Sequence, residues 1–303
     1  MLNKENIILV TGATGAQGGA VAKALLKNGN TVRIIAREAS RHSKAAEEME
    51  KAGAKIVIAD MEDQVSLEAA LKGVYALFSV QDMDNGTDSE RRHATNLLVA
   101  AFKAGVQHVV HASVNQTGNY LQFRNWDKWN KKYWLDKQFG EDTLRNAGFK
   151  YWTILRPVFF MDNFITPKVA FMFPNLVKGE IVTAWDSNAK LQLIAVDDTG
   201  AFAAAAFNNP EKFNKQVIDL VGDELTIGEI AESITKVTGK NSYVNQVNEA
   251  EATQKGIHPG FANAQIWNNE VGYNADIQAL NGYGLQVTNF NQYLEKNKNL
   301  LPL

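Results

Sequence analysis

The feature that most constrains this 303-residue chain is a glycine-rich turn placed between an apolar run and a helical pattern. The β-branched residues 7–11 predict a strand, and Gly12, Gly15 and Gly18 follow it directly. Gly12 allows the turn, Gly15 lets the main chain approach a phosphate, and Gly18 lets the following helix pack closely on the strand. Unpaired N–H groups of the first helical turn, together with the helix dipole, attract an anion. This order of elements predicts a dinucleotide pyrophosphate site.

The spacing GxxGxxG differs from the GxGxxG fingerprint, so the context of strand, turn and helix carries the interpretation. The alternative is a glycine-rich turn that only packs one βα unit. If the turn binds a nucleotide, its contacts come from the residues that form the turn and open the helix: Gly12, Thr14, Gly15, Ala16, Gln17 and Gly18.

Composition is typical of a globular α/β chain, with 45% hydrophobic and 21% charged residues. A net charge of −2 does not indicate binding to nucleic acid or to an anionic membrane. The absence of cysteine excludes disulfides and thiolate ligands, and no His, Asp or Glu grouping has metal-ligand spacing, so no metal is predicted. No apolar run has the length of a membrane span, and MLNKEN leads straight into the first predicted strand without a signal peptide. We therefore expect a cytoplasmic protein.

The first half of the chain alternates between strand and helix patterns. Strands are predicted at residues 7–11, 31–36, 55–59, 76–80, 108–112 and 151–155. Helices are predicted at residues 20–28, 43–52, 65–72, 89–104 and 129–146. Such alternation indicates a parallel sheet covered by helices on both faces, and right-handed crossovers then give the doubly wound strand order 3-2-1-4-5-6.

After residue 156 the rhythm changes to loops, short helices and a few strand patterns. The expected architecture is a Rossmann doubly wound parallel sheet with a smaller C-terminal α+β lobe. The predicted domains are residues 1–156 and residues 157–303, with residues 215–240 returning to the Rossmann sheet. A strand is expected at residues 216–221, and Thr226 and Glu229 form a predicted capping box for the next helix.

The residue after the second strand distinguishes NAD from NADP. A carboxylate there binds the ribose 2′-OH, whereas an arginine accommodates a 2′-phosphate. Arg37 occupies that position, with Ser40 and Arg41 close behind, which favours NADP(H); the alternative is a set of solvated surface charges. Asp60 follows the third strand and either hydrogen-bonds the adenine or caps a helix.

Strand ends supply the remaining predicted cofactor contacts. Ser79 and Val80 follow the fourth strand and are expected to line the cofactor groove, while Pro157 and Phe159 follow the sixth strand near the expected nicotinamide end.

The chain resembles the NmrA-like family of atypical short-chain dehydrogenases/reductases. The motifs that carry the resemblance are VTGATGAQGGAVAKALL with RIIAREAS, LRPVFFMDNF, AVDDTG, LVGDELTIGEIAESITKVTGK and YNADIQALNGYGL. They span nearly the whole chain, and the N-terminal motif is most similar to that of HSCARG-type NADPH sensors within the family. The resemblance implies NADP(H) binding at the strand ends. It leaves the activity open, because the family contains reductases, quinone oxidoreductases and cofactor-sensing regulators.

Short-chain reductases place a Tyr-x-x-x-Lys pair on the helix after the fifth strand and a serine at the end of that strand. Tyr133 and Lys137 match the pair, and Ser113 matches the serine. Lysine stabilises a phenolate, so the tyrosine can pass a proton to a carbonyl oxygen that the serine also hydrogen-bonds. Lys137 is also expected to hold the nicotinamide ribose. The alternative is aromatic packing of Tyr133 and a solvated Lys137.

Two functions follow. The first is an NADPH-dependent reductase of a small carbonyl or quinone substrate. The second is a non-catalytic NADP(H) sensor that regulates a protein partner, with the tyrosine serving only as packing.

Overall fold

The computed structural model of the protein describes residues 5–83 and 86–303. The strands, in chain order, are β1 (Ile7–Val10), β2 (Thr31–Ala36), β3 (Lys55–Ile58), β4 (Val74–Ser79), β5 (His108–Ala112), β6 (Tyr151–Pro157), β7 (Phe159–Phe160), β8 (Glu180–Thr183), β9 (Lys190–Ile194), β10 (Gln216–Leu220), β11 (Asp223–Thr226) and β12 (Tyr243–Gln246). The helices are α1 (Ala16–Lys27), α2 (Lys44–Lys51), α3 (Gln64–Leu71), α4 (Ser89–Lys103), α5 (Lys131–Asn146), α6 (Val169–Met172), α7 (Val196–Asn208), α8 (Pro210–Phe213), α9 (Ile227–Thr238), α10 (Glu249–Gln254), α11 (Pro259–Glu270) and α12 (Phe290–Lys296).

Seven strands form the main sheet in the order β10-β6-β5-β4-β1-β2-β3. The pairs from β3 to β6 are parallel, which confirms the Rossmann strand order expected from the sequence. The Lys215 N–H donates to Trp152 O at 2.7 Å, and the Val158 N–H donates to Leu220 O at 3.1 Å, so β10 also runs parallel to β6. The carboxyl ends of these strands form one edge, where the fold places ligands.

The first helix begins earlier than its side-chain pattern predicts. It starts at Ala16 instead of residue 20, so Gly18 and Gly19 lie within its first turns. A helical turn made of glycines carries no apolar periodicity, which explains the late predicted start. The capping box of Thr226 and Glu229 is present at the start of α9, as the sequence predicts.

The chain divides into two compact units whose segments interleave. The first contains Met1–Gly118, Lys132–Arg156 and Val196–Asp219, and the second contains Asn119–Lys131, Pro157–Ala195 and Leu220–Leu303. Compared with the predicted boundary at residue 156, α7 belongs to the unit that holds the main sheet, and Asn119–Lys131 belongs to the second unit. The place of α7 follows from its close approach to α1: a Cβ on Gly200 would lie 2.6 Å from Ala20 O.

The second unit has its own core and its own small sheets. The strands β11, β9 and β7 form one sheet, and β12 pairs with β8 in another. Stacked and edge-to-face rings fill the interior, among them Phe159, Phe164, Phe173, Trp185 and Phe261. The α+β character predicted for this region is present, although β7, β8, β11 and β12 were not predicted as strands. Strands of four residues at irregular spacing give too little alternation to be read from one sequence.

The predicted lack of a signal peptide concerns residues that include 1–4, which lie outside the described part of the chain. No helix in the described ranges combines the length and the apolar character that a bilayer crossing requires.

A buried histidine makes the stability of the first unit sensitive to acid. His108 packs against Phe207 and Tyr151, with ring centroids 5.1 and 5.7 Å apart, and neither of its ring nitrogens has a hydrogen-bond partner among the described residues. Burial lowers the pKa of His108 from 6.5 to about 4. His108 is therefore protonated below about pH 6.5 in the unfolded chain but only below about pH 4 in the native state. The free energy of unfolding falls as the pH is lowered from about 6.5 to about 4.

We expect His108→Leu to remove this dependence, since leucine fills the site without a titratable group. From about pH 7 to about pH 5 the wild-type chain should lose about 2 kcal/mol more unfolding free energy than the variant. Urea denaturation at the two pH values measures the difference, and His42→Gln, at an exposed site, is the matched control. Equal losses for wild type and His108→Leu would contradict the assignment.

Candidate functional site

The turn after β1 is built so tightly that side chains are excluded from it. Gly12 has a φ of 61°, and a Cβ there would lie 2.8 Å from Val80 Cγ1. A Cβ on Gly18 would lie 2.3 Å from Thr11 O, so α1 packs directly on the end of β1. Thr11 fixes the neighbouring strand end, because its Oγ1 accepts the Val80 N–H at 2.8 Å. The ends of β1 and β4 are thereby locked together at the ligand edge of the sheet.

The first turn of α1 suits an anionic group. Gly15 is the N-cap residue and provides no side-chain cap for the N–H groups of that turn. Behind it, Gln17 Oε1 is buried without a hydrogen-bond partner among the described residues. A Cβ on Gly15 would stand 3.3 Å from Gly12 O, inside the turn. The bare main chain and the helix N-terminus together fit a pyrophosphate.

A cleft of about 460 Å³ opens beside this turn at the carboxyl ends of β1 to β4. Six residues predicted from the sequence as cofactor contacts line it: Gly12, Thr14, Gly15, Arg37, Asp60 and Val80. Arg37 is exposed and follows β2, where a 2′-phosphate would be met. The sequence therefore identified part of the lining of this cleft.

Asp60 contributes to the cleft wall and does not cap a helix. Its Oδ1 accepts the Glu62 N–H at 2.9 Å, whereas Asp63 is the residue that caps α3 by accepting the Val65 N–H. Of the two interpretations left open for Asp60, the helix cap is wrong.

Four further residues that line the cleft were not predicted from the sequence: Met61, Glu62, Asp82 and His93. His93 Nε2 lies 3.0 Å from Glu62 Oε1, and Arg92 Nη2 donates to the same oxygen at 2.9 Å. The hydrogen bond from Arg92 is the main reason that the pKa of Glu62 is lowered. A usable signal was present: His93 lies in the first turns of the helix after β4, and such turns begin at the ligand edge.

Other predicted cofactor residues lie away from this opening. Ala16, Gln17 and Gly18 form the first turn of α1 behind the glycine loop. Ser79 is fully buried, and its Oγ lies 3.1 Å from His111 Nδ1 and accepts from Gln81 Nε2 at 3.0 Å. Ser79 thus supports the end of β4 from beneath.

Tyr133 and Lys137 lie one turn apart on α5, as their spacing predicts. The Lys137 ammonium is 5.6 Å from the centre of the Tyr133 ring. The same ammonium forms a 2.6 Å ion pair with Glu90 on α4, and the side chains of Lys137 and Glu90 are only 14% and 6% exposed. Burial, with a further contribution from the Glu90 charge, raises the pKa of the Tyr133 phenol far above its usual range. Like an ordinary tyrosine, Tyr133 is a phenol at neutral pH, and the raised pKa keeps it protonated to higher pH.

Ser113 is buried, and its hydroxyl is engaged. It donates to Glu141 Oε1 at 2.6 Å and lies 3.2 Å from Thr117 Oγ1. The Glu141 carboxylate also accepts two hydrogen bonds from Arg156 and one from Arg145. A serine has one O–H to donate, so in this geometry Ser113 cannot also donate to a substrate oxygen.

The second unit holds the last two predicted contacts. Pro157 ends β6 and is buried, and Phe159 stacks on Phe261 with their ring centres 5.9 Å apart. Phe160 beside it has the Lys168 ammonium over its ring at 5.7 Å.

The parallel sheet, its strand order and the glycine-lined cleft define a Rossmann-type α/β protein. The chain belongs to the NmrA-like family, whose sequence model matches residues 4–294. Oxidoreductase FrzB of Cladobotryum sp, which contains an NmrA-like family domain, is 30% identical over 258 residues, covering 77% of this chain and 74% of that protein. The family membership inferred from the sequence motifs is therefore confirmed.

Solved structures share the fold across the chain. The NADPH-dependent quinone oxidoreductase QOR2 from Escherichia coli, solved with NADPH, has a TM-score of 0.76 and 22% identity, covering 97% of this chain and 100% of its own. NmrA, a negative transcriptional regulator solved with NADP, has a TM-score of 0.78 and 16% identity, covering 97% of this chain and 95% of its own. An enzyme and a regulator thus have the same architecture, so the fold by itself leaves the activity open.

Proposed function

We propose that this protein is an NADPH-dependent reductase of a small carbonyl or quinone substrate. The observation that carries the proposal is the pairing of Tyr133 and Lys137 on α5, in the same unit as the glycine-lined cleft. A tyrosine one turn before a lysine offers a proton donor with a cation beside it.

Arg37 supports NADP(H) as the cofactor over NAD(H). It lines the cleft directly after β2, with Ser40 beside it, and a guanidinium can form a bidentate pair with a 2′-phosphate. The glycine turn and the α1 N-terminus supply main-chain donors for the pyrophosphate. Two proteins of the same fold support this assignment, since QOR2 was solved with NADPH and NmrA with NADP.

Reduction needs a hydride and a proton. NADPH, when bound, supplies the hydride to the carbonyl carbon. Tyr133, held as a phenol, gives its proton to the carbonyl oxygen and is reprotonated from solvent. Lys137 holds the cofactor ribose, while Ser113 has a supporting role, since its proton is committed to Glu141.

Tyr133→Phe tests this role. We expect kcat with a responsive quinone or aldehyde to fall about 100-fold or more, because general-acid catalysis contributes about that much, while NADPH binding measured by fluorescence stays unchanged. Tyr151→Phe, which removes an exposed hydroxyl bonded to Glu211, is the matched control. Full turnover by Tyr133→Phe would reject the mechanism, and the absence of NADPH oxidation with a broad panel of quinones and aldehydes would reject the reductase.

A second candidate function, a non-catalytic NADP(H) sensor, is favoured because the two polar partners expected for Tyr133, Ser113 and Lys137, are both engaged by carboxylates. Ser113 is bonded to Glu141 and Lys137 to Glu90, which are contacts that a purely structural region would also make. A sensor must bind NADPH and NADP⁺ with different affinities or conformations, because equal binding shifts no equilibrium. Calorimetry with both cofactors and hydrogen exchange of each complex distinguish this function, and identical results for the two redox states would exclude it.

A further inference from the structure

We propose that Glu90 is a positioning residue that holds the Lys137 ammonium and offsets its charge beside the Tyr133 ring, so that Tyr133 remains a proton donor. The proposal deepens the reductase function and rests on it for its role in turnover. The effect of Glu90 on the pKa of Tyr133 can be measured without substrate or cofactor.

The ion pair is the first support. Glu90 lies in the first turn of α4, where the helix dipole stabilises a carboxylate, and it reaches Lys137 across to α5 at 2.6 Å. Both side chains are largely withdrawn from solvent, so their interaction is weakly screened. Such a pair fixes the lysine in one place instead of leaving a mobile surface cation.

The second support is the neighbouring ion pair between the two helices. Arg91, which follows Glu90 on α4, pairs with Asp136, which precedes Lys137 on α5, and Lys132 Nζ lies 2.9 Å from Asp136 Oδ2. Each helix therefore presents an acid followed by a base, and the acid of each helix pairs with the base of the other. Glu90 therefore pairs with Lys137, while Asp136 pairs with Arg91 and Lys132.

The consequence for Tyr133 follows from charge and distance. An unpaired ammonium 5.6 Å from the ring would stabilise a phenolate, but Glu90 places a negative charge next to that ammonium. The other charged or titratable groups nearby are Arg91 on α4, Lys132 and Asp136 on α5, and His111 on β5, which senses Lys137 and is neutral at pH 7. Arg91 and Lys132 are paired with Asp136, whereas the Glu90 charge adds to burial in raising the pKa of Tyr133.

A proton donor for reduction must carry its proton throughout the working pH range. With the lysine charge offset, Tyr133 stays protonated to higher pH than an ordinary tyrosine, so a step that needs the phenol as its proton donor continues to higher pH. Glu90 thereby adjusts the acid without touching the substrate.

Glu90→Gln is the direct test, in full-length protein labelled with ¹³Cζ-tyrosine and titrated by NMR without cofactor. The Tyr133 signal is assigned by its loss in Tyr133→Phe. We expect Glu90→Gln to lower the pKa of Tyr133 by about 1–3 pH units, as an uncompensated neighbouring cation does. Glu90→Asp should restore most of the wild-type behaviour, and Asp142→Asn, which removes an exposed carboxylate further along α5, should change the titration much less.

An unchanged Tyr133 titration in Glu90→Gln, or an equal change in Asp142→Asn, would overturn the proposal. If Glu90→Gln does not fold, Lys137→Met provides the second test: Tyr133 should then stay protonated to at least as high a pH as in wild type, and a lower pKa would refute the charge offset. In turnover, Glu90→Gln should bring the alkaline fall of kcat/KM to lower pH. Because the titration needs no substrate, a chain that reduces nothing but shows the expected NMR shift rejects the reductase and keeps the electrostatic role of Glu90.

Discussion

Gly18→Val is expected to weaken nucleotide binding strongly and to destabilise the first unit. The Cβ alone would stand 2.3 Å from Thr11 O and 2.4 Å from Gly12 O, and both atoms belong to main chain that cannot rotate away. Relief requires α1 to move off the end of β1, which opens the turn and displaces the helix N-terminus from the anion. The cost of forcing extra atoms into a packed site is about 1–3 kcal/mol, at the upper end when the obstacle is backbone.

Calorimetry with NADPH and thermal unfolding measure the two effects of Gly18→Val. We expect at least a tenfold loss of affinity, corresponding to roughly 1.4 kcal/mol, together with a lower midpoint of unfolding. Gly228→Val is the matched control, because Gly228 also lies in the first turn of a helix, but the nearest atom to its added Cβ is 3.9 Å away. Wild-type NADPH affinity in Gly18→Val would show that the close approach of α1 is not needed for binding.

Arg37→Ala is expected to weaken NADP(H) binding selectively. A hydrogen bond to a charged group is worth about 1.5–3 kcal/mol, so the loss of the guanidinium should reduce NADPH affinity by roughly 10- to 100-fold. NADH has no 2′-phosphate and should lose little, so the ratio of the two dissociation constants is the measurement.

Arg41→Ala is the control for Arg37→Ala, since Arg41 carries the same charge a few residues later in the same exposed loop. It should change both affinities only slightly. An equal loss of NADPH and NADH affinity in Arg37→Ala would mean that Arg37 does not meet the 2′-phosphate, and a larger effect of Arg41 would move the phosphate site along the loop.

The strands and the nucleotide turn were predictable because their signals are local. Buried parallel strands are short apolar runs, and the turn requires glycine at positions where a Cβ would collide with backbone, as Gly12 and Gly18 show. Arg37 and Val80 could be placed in the cleft because each immediately follows a strand, and the ends of parallel strands meet at one edge.

The other residues that line the cleft, among them Glu62 and His93, could not be predicted in the same way. Glu62 and His93 come from different βα units, and nothing in the spacing of either residue indicates that they meet at 3.0 Å. Histidine in a helix is compatible with surface, core or site, and only its contacts distinguish these environments. The buried Ser113 presented the same difficulty, since its bond to Glu141 depends on how α5 packs against β5.

By itself the sequence determined the Rossmann sheet, the strand order and the glycine turn, because periodicity and backbone sterics act over a few neighbouring residues, and the resemblance of its motifs indicated the family. The tertiary structure decided the state of the groups around the turn and of the pair on α5. It placed Glu90 against Lys137, directed the Ser113 hydroxyl to donate to Glu141 and raised the pKa of Tyr133 above its usual range. Charge and burial depend on distances between residues far apart in the chain, and only the packing of one element on another sets those distances.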